Sequence, residues 1–80
     1  MRRILIVDDH PLVRAGFAQL IGDTSGLEVC GECADMADGL KQVESLKPDL
    51  AIIDLSLAGG SGLDLIKHIR AHGNDVLILV

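Results

Sequence analysis

Aromatic side chains are nearly missing from this chain. Phe17 is the only one in 80 residues, with no Trp and no Tyr. Any core must therefore be aliphatic, and a hydrophobic content of 49% is enough to argue for a core over disorder. Basic residues are also few: seven Lys and Arg against twelve Asp and Glu, a net charge of −5. They are scattered, so no basic face exists for direct contact with nucleic acid. No apolar run approaches the ~20 residues of a membrane span. Arg2-Arg3 and the four apolar residues after them mimic a signal peptide, but the run is too short and Asp8-Asp9 ends it. A cytoplasmic location with no membrane contact is the expectation. Eighty residues make one small domain, marginal alone at this size.

Cysteine is limited to Cys30 and Cys33, a C-x-x-C pair. In a redox enzyme that motif opens a helix whose N-terminus lowers the thiol pKa. Here Val29 and the alternation around it indicate a strand, on which residues three apart point to opposite faces. The expectation is one small buried residue and one near a loop, not a redox pair.

What the chain does have is an alternation of strand and helix patterns. Arg3–Val7 is a continuous apolar strand, as expected where both sheet faces are covered. Pro11 suits a first helical position, and Val13, Gly16, Phe17, Leu20 and Ile21 follow at helical spacing up to Gly22. Leu27–Cys33 is a second strand. Asp35 and Asp38 resemble a helix start, with Leu40, Val43 and Leu46 as its apolar stripe, broken by Lys47-Pro48-Asp49. Leu50–Ile53 is a third strand, and the loop 58–62 follows it. Ser61 and Asp64 look like a cap pair for a third helix with Leu63, Ile66 and Ile69 buried. Gly73-Asn74 stops that helix, and Val76–Val80 is a fourth strand. Strands joined by helices imply right-handed crossovers and a parallel sheet, an α/β fold.

The chemistry gathers at the strand ends. Asp8 and Asp9 follow the first strand and Asp54 follows the third. In an open α/β sheet the ligand site lies at the carboxyl ends of the strands, where the strand order reverses. Carboxylates gathered there repel one another unless a hard cation with oxygen ligands, such as Mg²⁺, neutralises them. A carboxylate held ionised beside such a cation is a usable nucleophile for phosphoryl groups. Each acid alone is ordinary, since Asp is common after strands and Asp9 also suits a helix cap. The pair plus Asp54 in a βαβαβ frame is the informative pattern.

Val7-Asp8-Asp9-His10, Pro48-Asp49-Leu50 and the run from Asp54 through Leu55-Ser56-Leu57-Ala58-Gly59-Gly60-Ser61-Gly62-Leu63 resemble the receiver domain of bacterial two-component response regulators. The subfamily with a LuxR-type helix-turn-helix output domain is the nearest in flavour. The resemblance covers all 80 residues as the N-terminal part of a receiver, with the output domain absent. It implies a flavodoxin-like (CheY-like) doubly wound parallel sheet with strand order 2-1-3-4-5, here incomplete at four of five strands. It implies Asp54 as phospho-acceptor, Asp9 as direct Mg²⁺ ligand, Asp8 as an acid acting through water, and the Ser56 backbone carbonyl as a third protein ligand. The partner it implies is a sensor histidine kinase, with DNA reached only through an output domain and with no turnover of an external substrate.

Two departures stand out. Ala58 replaces a usual proline. The family's switch Ser or Thr, and a Lys at a strand end, are absent from this chain; Lys41, Lys47 and Lys67 lie in or beside helices. Two other readings follow. One is a fragment that binds a partner without being phosphorylated; the other is a phosphotransferase with an aspartyl nucleophile, disfavoured because such enzymes carry Asp-x-Asp. The apolar edge Val76–Val80 should pair with another chain, giving a homodimer or strand-swapped assembly. His10 reads as a surface residue at the mouth of the site, and His68 and His72 as helix-end cations.

Overall fold

A computed structural model describes residues 1–55, 57, 62–74 and 76–80. The elements alternate without exception: β1 (Arg2–Val7), α1 (Pro11–Gly22), β2 (Leu27–Cys33), α2 (Met36–Leu46), β3 (Leu50–Ile53), α3 (Gly62–Ala71) and β4 (Leu77–Leu79). The four strands are parallel and lie in the order β2-β1-β3-β4. This is the start of the expected 2-1-3-4-5 order. β1 sits centrally, and the order reverses between β1 and β3.

Strand alternation sends side chains to two cores. Leu5, Val7, Ala51 and Ile53 face α2 and α3, where they meet Val43, Leu65 and Ile69. Ile4 and Ile6 face α1, where they meet Ile21 with Ala18, Leu50 and Ile52 around it. All of these cores are aliphatic, as the near absence of aromatics requires.

The helix ends follow local chemistry. The Asp35 side chain caps α2 by accepting from the Asp38 backbone N–H at 2.8 Å. Lys47 closes α2 in the left-handed region (φ 48°), and Pro48 prevents continuation. The Arg3 guanidinium donates to the carbonyls of Leu46 and Lys47, so β1 helps to satisfy the end of α2. The Ser61 cap and most of the loop before α3 lie outside the described residues.

On α3 the expected Leu63 is exposed, and Leu65 is buried with Ile69 instead. Three further expectations need correction. First, the α1 stripe is not a buried face: only Ile21 is buried, while Val13, Phe17 and Leu20 are exposed. α1 packs on β1 and β2, so its other flank overhangs the β3–β4 half of the sheet, which no described helix covers on the α1 face. Leu77 and Leu79 on that half are 65% and 54% exposed. Second, the fourth strand is shorter than Val76–Val80. The Val76 N–H donates to Asn74 Oδ1 at 2.9 Å instead of entering the ladder.

Third, the two cysteines do not point to opposite faces. The β1–β2 register shifts between Ile4 and Leu5, pairing them with Val29 and Gly31 and leaving Cys30 as the extra residue of a bulge. The bulge turns Cys30 to the α2 side, so both cysteines pack on the same core. Burial, then Asp38 and Asp35, pushes the Cys33 thiol up to about 12; burial also raises Cys30. Both are free thiols.

Candidate functional site

The acids converge because the backbone ladder continues past the strands. Val7 pairs with Ile53, and the next step brings Asp8 level with Asp54. The Asp54 N–H donates to the Val7 carbonyl at 2.9 Å, and the Asp8 N–H donates to the Cys33 carbonyl at 2.9 Å. Asp8 is thus pinned on both sides, at the point of strand-order reversal. Its side chain is only 9% exposed, against 25% for Asp9 and 23% for Asp54.

On the far side of Asp54, Gly62 begins α3 and donates its N–H to the Leu55 carbonyl at 2.9 Å. A Cβ at position 62 would lie 2.8 Å from the Asp54 carbonyl carbon and from Leu55 Cα. Only glycine lets α3 approach the backbone that carries Asp54 so closely.

His10 closes the site from above. Its backbone N–H donates to Asp8 Oδ1 at 2.8 Å, and its ring Nδ1 lies 2.9 Å from the same oxygen. The same Nδ1 stands 3.0 Å from Asp9 Oδ1 and 3.2 Å from Asp54 Oδ2. The hydrogen bond to Asp8 and then the charge of Asp9 raise the His10 pKa above its ordinary value. His10 is also the N-cap residue of α1, with no side-chain cap bond. Asp9 therefore does not cap this helix.

Asp9 Oδ1 is fully buried and accepts no hydrogen bond. His10 Nδ1 lies 3.0 Å from it, an ion-pair contact when the ring is protonated. An acidic oxygen without a donor is costly in a buried site, and a cation is the partner that removes the cost. Among the described residues, Asp8, Asp9, His10 and Asp54 bring one donor atom each to within 4.8 Å of one another. A set dominated by carboxylate oxygens suits a hard divalent ion.

The sequence placed Asp8, Asp9 and Asp54 together, and the structure does the same. The fourth expected ligand, the Ser56 carbonyl, lies outside the described residues. His10, expected as a surface residue at the mouth of the site, is 58% exposed there and has its ring nitrogen among the acids. One participant was missed. Arg14 donates to the Asp8 carbonyl at 2.6 Å and holds Glu32 at 3.4 Å, tying α1 to the ends of β1 and β2. Its signal was available: with a helix starting at Pro11, residue 14 comes one turn later, beside the strand end. Lys41 and Lys67 are exposed on helices, and Lys47 on the end of α2.

An open cleft of about 410 Å³ runs from this site. Asp8, His10 and Asp54 form one end, and Val13, Phe17 and Leu79 are among the apolar residues lining the rest. No described helix is long and apolar enough to cross a membrane.

Comparison with known proteins agrees with this geometry. The pattern of the response regulator receiver domain matches residues 4–80. A nitrate/nitrite response regulator protein homolog from Haemophilus influenzae is 38% identical over 78 residues, which is 98% of this chain and 38% of that protein. The chain thus spans about two fifths of the length of this relative. A two-component response regulator of the LuxR family from an Aurantimonas species superimposes with a TM-score of 0.85 at 37% identity, over 95% of this chain and 56% of that one. The signal receiver domain of the putative response regulator NarL from Mycobacterium tuberculosis gives a TM-score of 0.91 at 27% identity, over 96% and 62%.

Proposed function

The chain belongs to the response regulator receiver domain family, and on that premise we propose that Asp54 accepts a phosphoryl group from the phosphohistidine of a sensor kinase. The observation that carries this reading is the convergence of Asp54, 23% exposed, with two other carboxylates at the strand-order reversal. One Asp54 oxygen attacks phosphorus, the P–N bond breaks, and its electron pair leaves with the kinase imidazole, which takes a proton from solvent. The product on this chain is an acyl phosphate.

Asp8, Asp9 and Asp54 are the side chains that would hold Mg²⁺, with the Ser56 carbonyl as a further proposed ligand. Bound there, Mg²⁺ neutralises the charge that the carboxylates and the phosphoryl oxygens share. Arg14 fixes the Asp8 backbone, and Gly62 fixes the seat of Asp54. The reading makes the chain a phospho-acceptor that does not turn over an external substrate. It controls an output domain, and the likeness to a LuxR-family regulator supports a DNA-binding one.

Intact mass after incubation with a small phosphoryl donor and Mg²⁺ tests the reading. One added phosphoryl group, lost with Asp54→Asn and without Mg²⁺, is expected. No gain in the parent chain would favour the second reading, a module that binds partners without phosphorylation.

That second reading has its own support. β4 is the edge of the described sheet, and Leu77 and Leu79 on it and Val80 after it are exposed. Such an edge templates pairing with another chain. We therefore also propose self-association through β4. Light scattering should show a dimer that Leu79→Lys weakens; a monomer at all accessible concentrations would refute it.

A further inference from the structure

We infer that His10 is itself a metal ligand in this site, and that its imidazole turns a carboxylate site suited to Mg²⁺ toward first-row transition ions such as Ni²⁺. The inference rests on the acceptor-site reading above. Its geometric basis is the position of one atom. In an octahedral shell with bonds of about 2.1 Å, neighbouring donors stand about 3.0 Å apart, and opposite donors about 4.2 Å apart. His10 Nδ1 lies 2.9, 3.0 and 3.2 Å from one oxygen each of Asp8, Asp9 and Asp54. It is thus spaced as the neighbour of all three oxygens around one centre. The limit of 4.8 Å on the four donor atoms also admits opposite corners.

The same three distances fit ion pairs of a protonated ring, so ligation requires Nδ1 to release its proton and leaves the ring N–H on Nε2. The ring is brought there by the backbone: the His10 N–H is anchored on Asp8 Oδ1, and Pro11 starts α1 directly after it. Asp9 Oδ1, buried and without a hydrogen bond, is the oxygen that an ion in the cluster would satisfy.

The consequence is one of selectivity. Carboxylate, carbonyl and water suit Mg²⁺, whereas imidazole suits Ni²⁺, Zn²⁺ and their neighbours. Any site binds Ni²⁺ more tightly than the earlier ions of the series, so absolute affinity decides nothing. The ratio of Ni²⁺ to Mg²⁺ affinity, and its dependence on residue 10, carries the test.

The experiment uses the whole chain with His68→Gln and His72→Gln, because His68 on α3 and His72 just past its end lie four residues apart and would bind Ni²⁺ themselves. NiCl₂ and MgCl₂ are titrated calorimetrically into this protein and into the same protein carrying His10→Ala or Asp9→Ala. His10→Ala should lower the Ni²⁺/Mg²⁺ affinity ratio at least about tenfold, the lower end of what even a supporting partner of a ligand is worth. Proton NMR of the Ni²⁺ form should show a hyperfine-shifted, exchangeable imidazole N–H that is lost in the same variant. Asp9→Ala should remove binding of both ions. If Asp9→Ala removes both while His10→Ala leaves the ratio unchanged, the inference falls and the acceptor-site reading stands. If Asp9→Ala leaves both ions bound, both fall.

Discussion

Replacing the buried Gly62 by alanine should damage this protein more than the same change at any other described glycine. The added Cβ would meet the Asp54 carbonyl carbon and Leu55 Cα at 2.8 Å, with the Asp54 carbonyl oxygen nearer still. These are backbone atoms, which cannot rotate away as a side chain end can. Overpacking of this kind costs about 1–3 kcal/mol, and a backbone obstacle belongs at the top of that range. Removing a glycine from a helix start returns roughly 0.5–1 kcal/mol at most. The net loss should be about 2–3 kcal/mol, or roughly 10–20 °C in Tm for a domain of this size. Gly16 is the matched control. It lies within α1 with nothing within 4 Å of its would-be Cβ. Gly16→Ala should therefore gain about 0.5–1 kcal/mol. Urea unfolding followed by far-UV circular dichroism suits a chain that has no tryptophan. A Gly62→Ala protein within about 0.5 kcal/mol of the parent would refute the close approach of α3 to the Asp54 backbone.

Two further predictions concern α2 and the core. Asp35→Ala removes the α2 cap and should cost about 1 kcal/mol; no change in the urea midpoint would show that the Asp35–Asp38 bond contributes nothing. Cys33, with its thiol pushed up to about 12 from the usual 9.0, should carry about a thousandfold less thiolate at pH 8 than a free cysteine. Iodoacetamide should label Cys33 only on unfolding, and labelling at the rate of a free thiol would contradict its burial. Because the folded-state value is the raised one, the unfolded chain loses this proton first. The stabilising contribution is complete below pH 9, and it falls by at most about 1.4 kcal/mol per pH unit as pH rises toward 12.

Much of this architecture was legible because local chemistry and tertiary packing agree. Leu27–Cys33 and Leu50–Ile53 are bounded by turn residues on both sides, and both strands have the expected limits. Asp8, Asp9 and Asp54 could be grouped because parallel strands with right-handed crossovers leave one edge for all their carboxyl ends. What failed depended on distant partners. Val13, Phe17 and Leu20 have helical spacing, but spacing does not reveal which half of a sheet a helix covers. The Cys30 bulge comes from a register slip between two strands, which neither strand encodes alone. His10 was legible as an exposed residue at the mouth of the site, but only the convergence of β1 and β3 shows that one ring nitrogen lies among three carboxylates.

The most direct test of the account locates the acyl phosphate. The protein, phosphorylated with Mg²⁺ present, is treated with borohydride, which reduces an aspartyl phosphate to homoserine, and the product is sequenced by tandem mass spectrometry. The account predicts homoserine at position 54 alone. Homoserine at position 8 or 9, or an unmodified Asp54 beside a phosphoryl group elsewhere, would contradict it.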